Sequence, residues 1–195
     1  MGETKPTESV PHGQGRKTRR AKPAADERTG LVTFRGEPVT LLGPELKVGD
    51  KAPDFQCVTC DLEPATLGST AGRVRLFSVV TSLDTSVCDQ QARRFDLQAV
   101  ELPPTVAVIA VSTDPPFTQA RWCALAEARR LVTYSDHRET SFGLAYGVLI
   151  KELRFLARSI FVVDRADVVR YLEIVPEVSS LPDFTAALEA VRELS

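Results

Sequence analysis

The 195-residue chain has a net charge of −2 and is 43% apolar, enough for one domain of ordinary size around a buried core. No apolar run is long enough to cross a bilayer and no basic-then-apolar leader is present, so a soluble, cytoplasmic protein is expected. Four cysteines are too few for a disulfide-stapled secreted scaffold and read as catalytic, metal-binding or inert thiols.

Residues 1–30 contain almost no large apolar side chain and cannot repay the entropy of ordering, which predicts a disordered tail ahead of a single domain over 31–195. Seven basic residues there stand against four acidic ones, a net +3 that leaves −5 for the remainder. The RKTRR cluster has no aromatic neighbours and reads as a solvated arm, not a nucleic-acid surface.

From Leu31, LVTFRGEPVTLLG alternates about Gly36 and predicts a β-hairpin. VRLFSVV (74–80) and TVAVIAVS (105–112) are dense β-branched runs without alternation, as in strands covered on both faces. A helical segment between them completes a βαβ unit with a right-handed crossover. Pro115 and Pro116 open a second helix, since first-turn amides need no partner. LVTYSD (131–136) is a strand and FGLAYGVL (142–149) a brief, glycine-interrupted helix or turn. RSIFVVD and VVRYLEIV form an antiparallel hairpin, and LPDFTAALEAVREL closes the chain as an amphipathic helix. The expected fold is α/β, a mixed sheet flanked by helices with an N-terminal β-hairpin.

Within the βαβ helix, Ala92, Phe95, Ala99 and Leu102 follow Cys88 at the spacing of one apolar stripe, so Cys88 points inward. Thr85 lies over the same face, while Arg93, Arg94, Asp96 and Gln98 are expected to project elsewhere. Asp84 or Thr85 suits the N-cap, which sets the sulfur near free amides at the positive end of the helix. Only a thiolate attacks an electrophile, and such amides with a nearby cation favour it. The same position lies at the carboxyl edge of the sheet, where α/β ligand sites usually form.

Taken in order, VGDKAPDF, SLDTSVCDQQARRF, STDPPFTQARWC, SFGLAYGVLIKELRFLARSIFVVD and VPEVSSLPDFTAALEAV resemble the thiol peroxidases, atypical two-cysteine peroxiredoxins of bacterial type with a thioredoxin-like fold. The resemblance implies that Cys88 is the peroxidatic cysteine and that Thr85 supplies a hydroxyl to sulfur and peroxide. Arg158 would hold the thiolate and polarise the O–O bond, and Cys123 would be the resolving cysteine. Arg158 also shares a strand face with Ile160 and Val162, which turns it toward the core, where a guanidinium needs an anionic partner. The resemblance further implies hydroperoxide substrates, a Cys88–Cys123 disulfide reduced by thioredoxin, a homodimer, and no metal or organic cofactor; nucleic acid and membrane are not expected partners.

The family pattern P-x-x-x-T-x-x-C has Thr81 at its first position here. Threonine restores an amide donor and conformational freedom, so a wetter, looser pocket with slower peroxide attack is expected. Cys57 and Cys60 form a C-x-x-C, but residues three apart on a strand face opposite sides and no second pair completes a metal shell. They read as structural, with a regulatory disulfide as the alternative. His12 and His137 have no nucleophile or carboxylate at a telling distance. Two other functions stay open: a disulfide oxidoreductase using Cys57 and Cys60, and a thioredoxin-like interaction module weakened in catalysis by Thr81.

Overall fold

A computed structural model describes residues 25–195. The expectation of a disordered tail over 1–30 falls largely outside those residues. Strand β1 (Glu27–Phe34) nevertheless starts four residues ahead of Leu31. Arg28 belongs to that strand rather than to a solvated arm: its guanidinium donates to the carbonyls of Gly43 and Gly147, burial pushes its pKa down, and Glu45 partly offsets this.

β1 turns back into β2 (Glu37–Leu42) through Arg35 and Gly36, both at positive φ. Such a two-residue turn matches the twist of paired strands, and the glycine adopts that backbone without strain. The hairpin extends into a three-stranded sheet through β8 (Leu149–Ile150), a strand with no separate signature in the sequence.

The main sheet has seven strands. In chain order they are β3 (Cys57–Val58), β4 (Pro64–Ala65), β5 (Val74–Val79), β6 (Val106–Ser112), β7 (Leu131–Ser135), β9 (Ser159–Val163) and β10 (Val169–Ile174). Across the sheet the order is β10-β9-β5-β6-β7-β3-β4, with β5, β6 and β7 parallel and β9 antiparallel to β5. Every residue of β5 and β6 is buried, which accounts for their lack of polar alternation. Helices α1 (Ser86–Ala99), α2 (Pro116–Ala126), α3 (Ser141–Ala145) and α4 (Phe184–Leu194) complete the α/β layers.

The two faces of β5 and β9 are read by period two. Phe77, Val79, Phe161 and Val163 join a core with Phe55, Phe142 and Tyr146; Leu76, Ile160 and Val162 face a second core with Ala92, Phe95 and Phe184. Phe142 and Tyr146 stack at 4.0 Å between ring centres, and Phe55 meets both edge-on. Cys57 falls in a strand of only two residues.

Asp96 departs from its expected outward position. It is buried, and its carboxylate accepts from the amides of Arg129, Arg130 and Leu131 at 2.8–3.1 Å, fastening α1 to the start of β7. Eight residues beyond Cys88, it lies on the inward stripe, and the amide partners offset the cost of burying its charge. Asp96→Ala strands those donors and should lower unfolding free energy in urea by about 3 kcal/mol; a loss under about 1 kcal/mol would show that water replaces the carboxylate.

Candidate active site

Cys88 lies in the first turn of α1 and is 0% exposed, directed into the core as its helical spacing predicts. Thr85 takes the N-cap position with extended backbone, and its carbonyl accepts the Asp89 amide at 2.9 Å. Its hydroxyl donates to the Ser82 carbonyl at 2.9 Å, closing the turn that leads into the helix, and Thr85 is exposed rather than on the inward face with Cys88, because the N-cap backbone has left the helical path. First-turn amides lack intrahelical partners, so partial positive charge gathers beside the sulfur.

The loop before α1 is fixed from the carboxyl end of β6. Asp114 accepts the Leu83 amide and the Ser112 hydroxyl, each at 2.8 Å, and Gln119 reaches Ser112 from α2 at 3.0 Å. These buried bonds set where α1 begins, and hence where Cys88 sits.

Arg158 immediately precedes β9 and is 2% exposed. It shares the β9 face of Ile160 and Val162, as the alternation predicts. Its Nη2 donates to Cys88 Sγ at 3.2 Å, its Nε to the Val178 carbonyl at 2.8 Å, and its Nη1 to Gln91 Oε1 at 2.5 Å. Gln91 in turn donates from Nε2 to the Ser78 hydroxyl at 2.8 Å. The guanidinium is therefore held on three sides, with one donor aimed at the sulfur.

Gln91 is the site residue that sequence reasoning passed over. Its signal was present: three positions after Cys88, it is an amide on a largely apolar stripe, and a buried amide needs partners.

Cys123 lies elsewhere. It is half-buried on α2 and its sulfur is 3.8 Å from the Thr133 hydroxyl on β7, three strands across the sheet from β9. Its neighbour Trp122 donates from Nε1 to Asp89 at 2.8 Å, linking α2 to the residue after Cys88.

The C-x-x-C cysteines point to different partners. Cys57 is buried against Asp136 at 3.6 Å, and burial with the adjacent carboxylate pushes its thiol far above the ordinary range. Cys60 instead approaches the Thr133 hydroxyl at 3.1 Å. Among the described residues no group of three or more His, Cys, Asp or Glu is placed to hold a metal ion.

The Redoxin family model matches residues 47–188. The thiol peroxidase of Halalkalibacterium halodurans is 53% identical over 161 residues, 83% of this chain and 96% of the relative. That of Bacillus subtilis is 49% identical over 163 residues, 84% and 97% of the two chains. The crystal structure of a peroxiredoxin-like protein from Aquifex aeolicus superposes with a TM-score of 0.80 at 37% identity, covering 86% of this chain and 98% of its own. The chain belongs to the Redoxin family, among its thiol peroxidases.

Thr81 is 7% exposed and its hydroxyl has no hydrogen-bond partner among the described residues. Its amide likewise donates no backbone hydrogen bond there. Threonine thus leaves a buried hydroxyl without a protein partner, a cost of about 1–3 kcal/mol that proline would remove without breaking a backbone hydrogen bond. Thr81→Pro should raise the second-order rate constant with hydrogen peroxide several-fold in stopped flow; an unchanged or lower constant would count against a role for this position.

Proposed function

We propose that the thiol-dependent peroxidase reaction of this enzyme runs through Cys88. The observation that carries the reading is the Arg158 donor directed at the Cys88 sulfur in a site closed to solvent. A cationic N–H bonds an anionic sulfur far better than a neutral thiol, so the arrangement favours the attacking form.

In this reading the Cys88 thiolate attacks one peroxide oxygen, the O–O bond breaks, the other oxygen takes a proton from solvent and leaves as water or an alcohol, and Cys88 becomes a sulfenic acid. Arg158 steadies the sulfur and draws charge along the breaking bond. Thr85, one turn before Cys88, keeps its hydroxyl proton on the Ser82 carbonyl and offers its oxygen to accept from the bound peroxide. The Cys123 thiolate then condenses with the sulfenic acid, whose oxygen takes a proton from solvent and leaves as water, giving a Cys88–Cys123 disulfide for a thioredoxin-type dithiol to reduce.

Because Cys88 is fully buried and Cys123 bonds on β7, forming that disulfide requires the first turn of α1 to unwind. The two Cα atoms must come within about 5.5 Å. The Trp122–Asp89 bond spans the two segments that must move.

We place the enzyme in the cytoplasm, as its cysteine use suggests, and as a homodimer. Leu97 on α1 and Phe117 and Leu125 on α2 leave large apolar side chains exposed, which supports a partner surface. Among the described residues no helix is long and apolar enough to cross a membrane.

Peptide mapping tests the cysteine roles. Reduced protein given one equivalent of hydrogen peroxide, and acid-quenched as thiol is first lost, should show Cys88 linked to Cys123. Cys88→Ser should abolish peroxide consumption. An initial Cys57–Cys60 link would favour a disulfide oxidoreductase, and peroxide left unconsumed by the wild type would favour an interaction module.

A further inference from the structure

Cys60 and Cys123, 63 positions apart in the chain, meet at one side chain. The Thr133 hydroxyl is 3.1 Å from Cys60 Sγ and 3.8 Å from Cys123 Sγ. Both cysteines are half-buried, in contrast to the closed environments of Cys57 and Cys88.

Each is also held by local structure. Cys60 sits in the tight turn between β3 and β4, closed by Thr59 N to Glu63 O at 2.9 Å and Leu62 N to Thr59 O at 3.0 Å. Cys123 lies toward the end of α2, where its carbonyl accepts the Ala128 amide at 3.1 Å. The two sulfurs, with Thr133, Arg73 and Arg130, line one cavity of about 580 Å³. Burial pushes the Cys123 thiol pKa up, the Thr133 hydroxyl opposes this, and the neighbouring Cys60 thiol adds to it.

We propose that Cys60 and Cys123 form a second redox pair, which takes the disulfide over from Cys88 and presents it to a dithiol reductant in this cavity. The proposal rests on the Cys88–Cys123 disulfide described above. In the exchange, Cys60 gives its proton to solvent and its thiolate attacks Cys123 Sγ. The Cys60–Cys123 bond forms, the Cys88–Cys123 bond breaks, and Cys88 leaves with the electron pair as a thiolate. The two-electron oxidation originally supplied by the hydroperoxide thus moves to Cys60–Cys123, and Cys88 is returned to the reduced state.

Two features favour the direction. The departing Cys88 thiolate has the Arg158 donor to receive it, and a stabilised anion is the better leaving group. Holding Cys88 against Cys123 keeps α1 open, whereas Cys60 and Cys123 already share a hydroxyl in the folded state, so exchange allows the first turn of α1 to re-form. The oxidised pair then lies on a cavity wall, where an incoming dithiol can attack either sulfur.

The test is a time course on the full-length protein. After one equivalent of hydrogen peroxide, samples are acid-quenched, alkylated and mapped. The expected sequence is an early Cys88–Cys123 link that gives way to a predominant Cys60–Cys123 link, with Cys88 alkylated as a free thiol. In Cys60→Ser the Cys88–Cys123 link should persist.

A wild-type end state of Cys88–Cys123 with Cys60 fully alkylated would overturn the proposal. Diamide oxidation of Cys88→Ser separates this failure from a failure of the Cys88 chemistry, because it asks for the pair without peroxide: a Cys60–Cys123 disulfide is expected there. Absence of that disulfide would overturn the pair even if Cys88–Cys123 forms normally. Its presence, with no Cys88–Cys123 link at any time in the wild type, would refute the resolving step and the transfer while leaving the second pair standing.

Discussion

A guanidinium buried at 2% exposure is the constraint around which this structure is arranged. Removing such a charge from water costs several kcal/mol unless its donors are met by well-placed acceptors, so each must be accounted for. Arg158 meets a carbonyl after β10, an amide oxygen on α1 and the Cys88 sulfur. The fixed fork of arginine donors suits three partners in three directions, a geometry that a lysine ammonium on a flexible stem holds poorly. The sulfur therefore completes the solvation of the cation as much as the cation completes that of the sulfur.

The surrounding fold keeps that contact in register. Ser78 on β5 holds Gln91, Asp114 after β6 holds the loop ahead of α1, and Asp96 fastens the far half of α1 to the start of β7. All three are buried polar groups whose hydrogen bonds cross between elements, which makes the position of α1 specific. The first turn of α1 is tied by the Arg158 donor to Cys88 and by the Trp122 donor to Asp89, whereas the Thr85 hydroxyl closes only a local turn.

Much of this was legible in the sequence because it depends on short-range periodicity. The unbroken apolar runs of β5 and β6 marked strands covered on both faces, the stripe from Cys88 to Ala99 fixed the inward side of α1, and two-residue alternation turned Arg158 toward the core with Ile160 and Val162. Gln91 and Asp96 were harder, since a polar residue on an apolar stripe reads as a fault in the pattern until its distant partner is known. The meeting of Cys60 with Cys123 was not legible at all: it depends on β3 pairing beside β7, and that contact leaves no local trace in either segment. β8 and the early start of β1 were missed for a similar reason, since a two-residue strand and a charged strand end acquire their structure from neighbours rather than from composition.

The most direct measurement of the central contact uses Trp122, the one tryptophan, whose bond to Asp89 ties its fluorescence to the state of α1. Reduced wild type and Arg158→Met are mixed with hydrogen peroxide in stopped flow and the second-order constant is taken from the fluorescence change, after equal folding of the two proteins has been verified. If the guanidinium sustains the reactive sulfur, the variant should react at least about 100-fold more slowly, in line with removing one preorganised donor. A constant within threefold of the wild type would contradict the account.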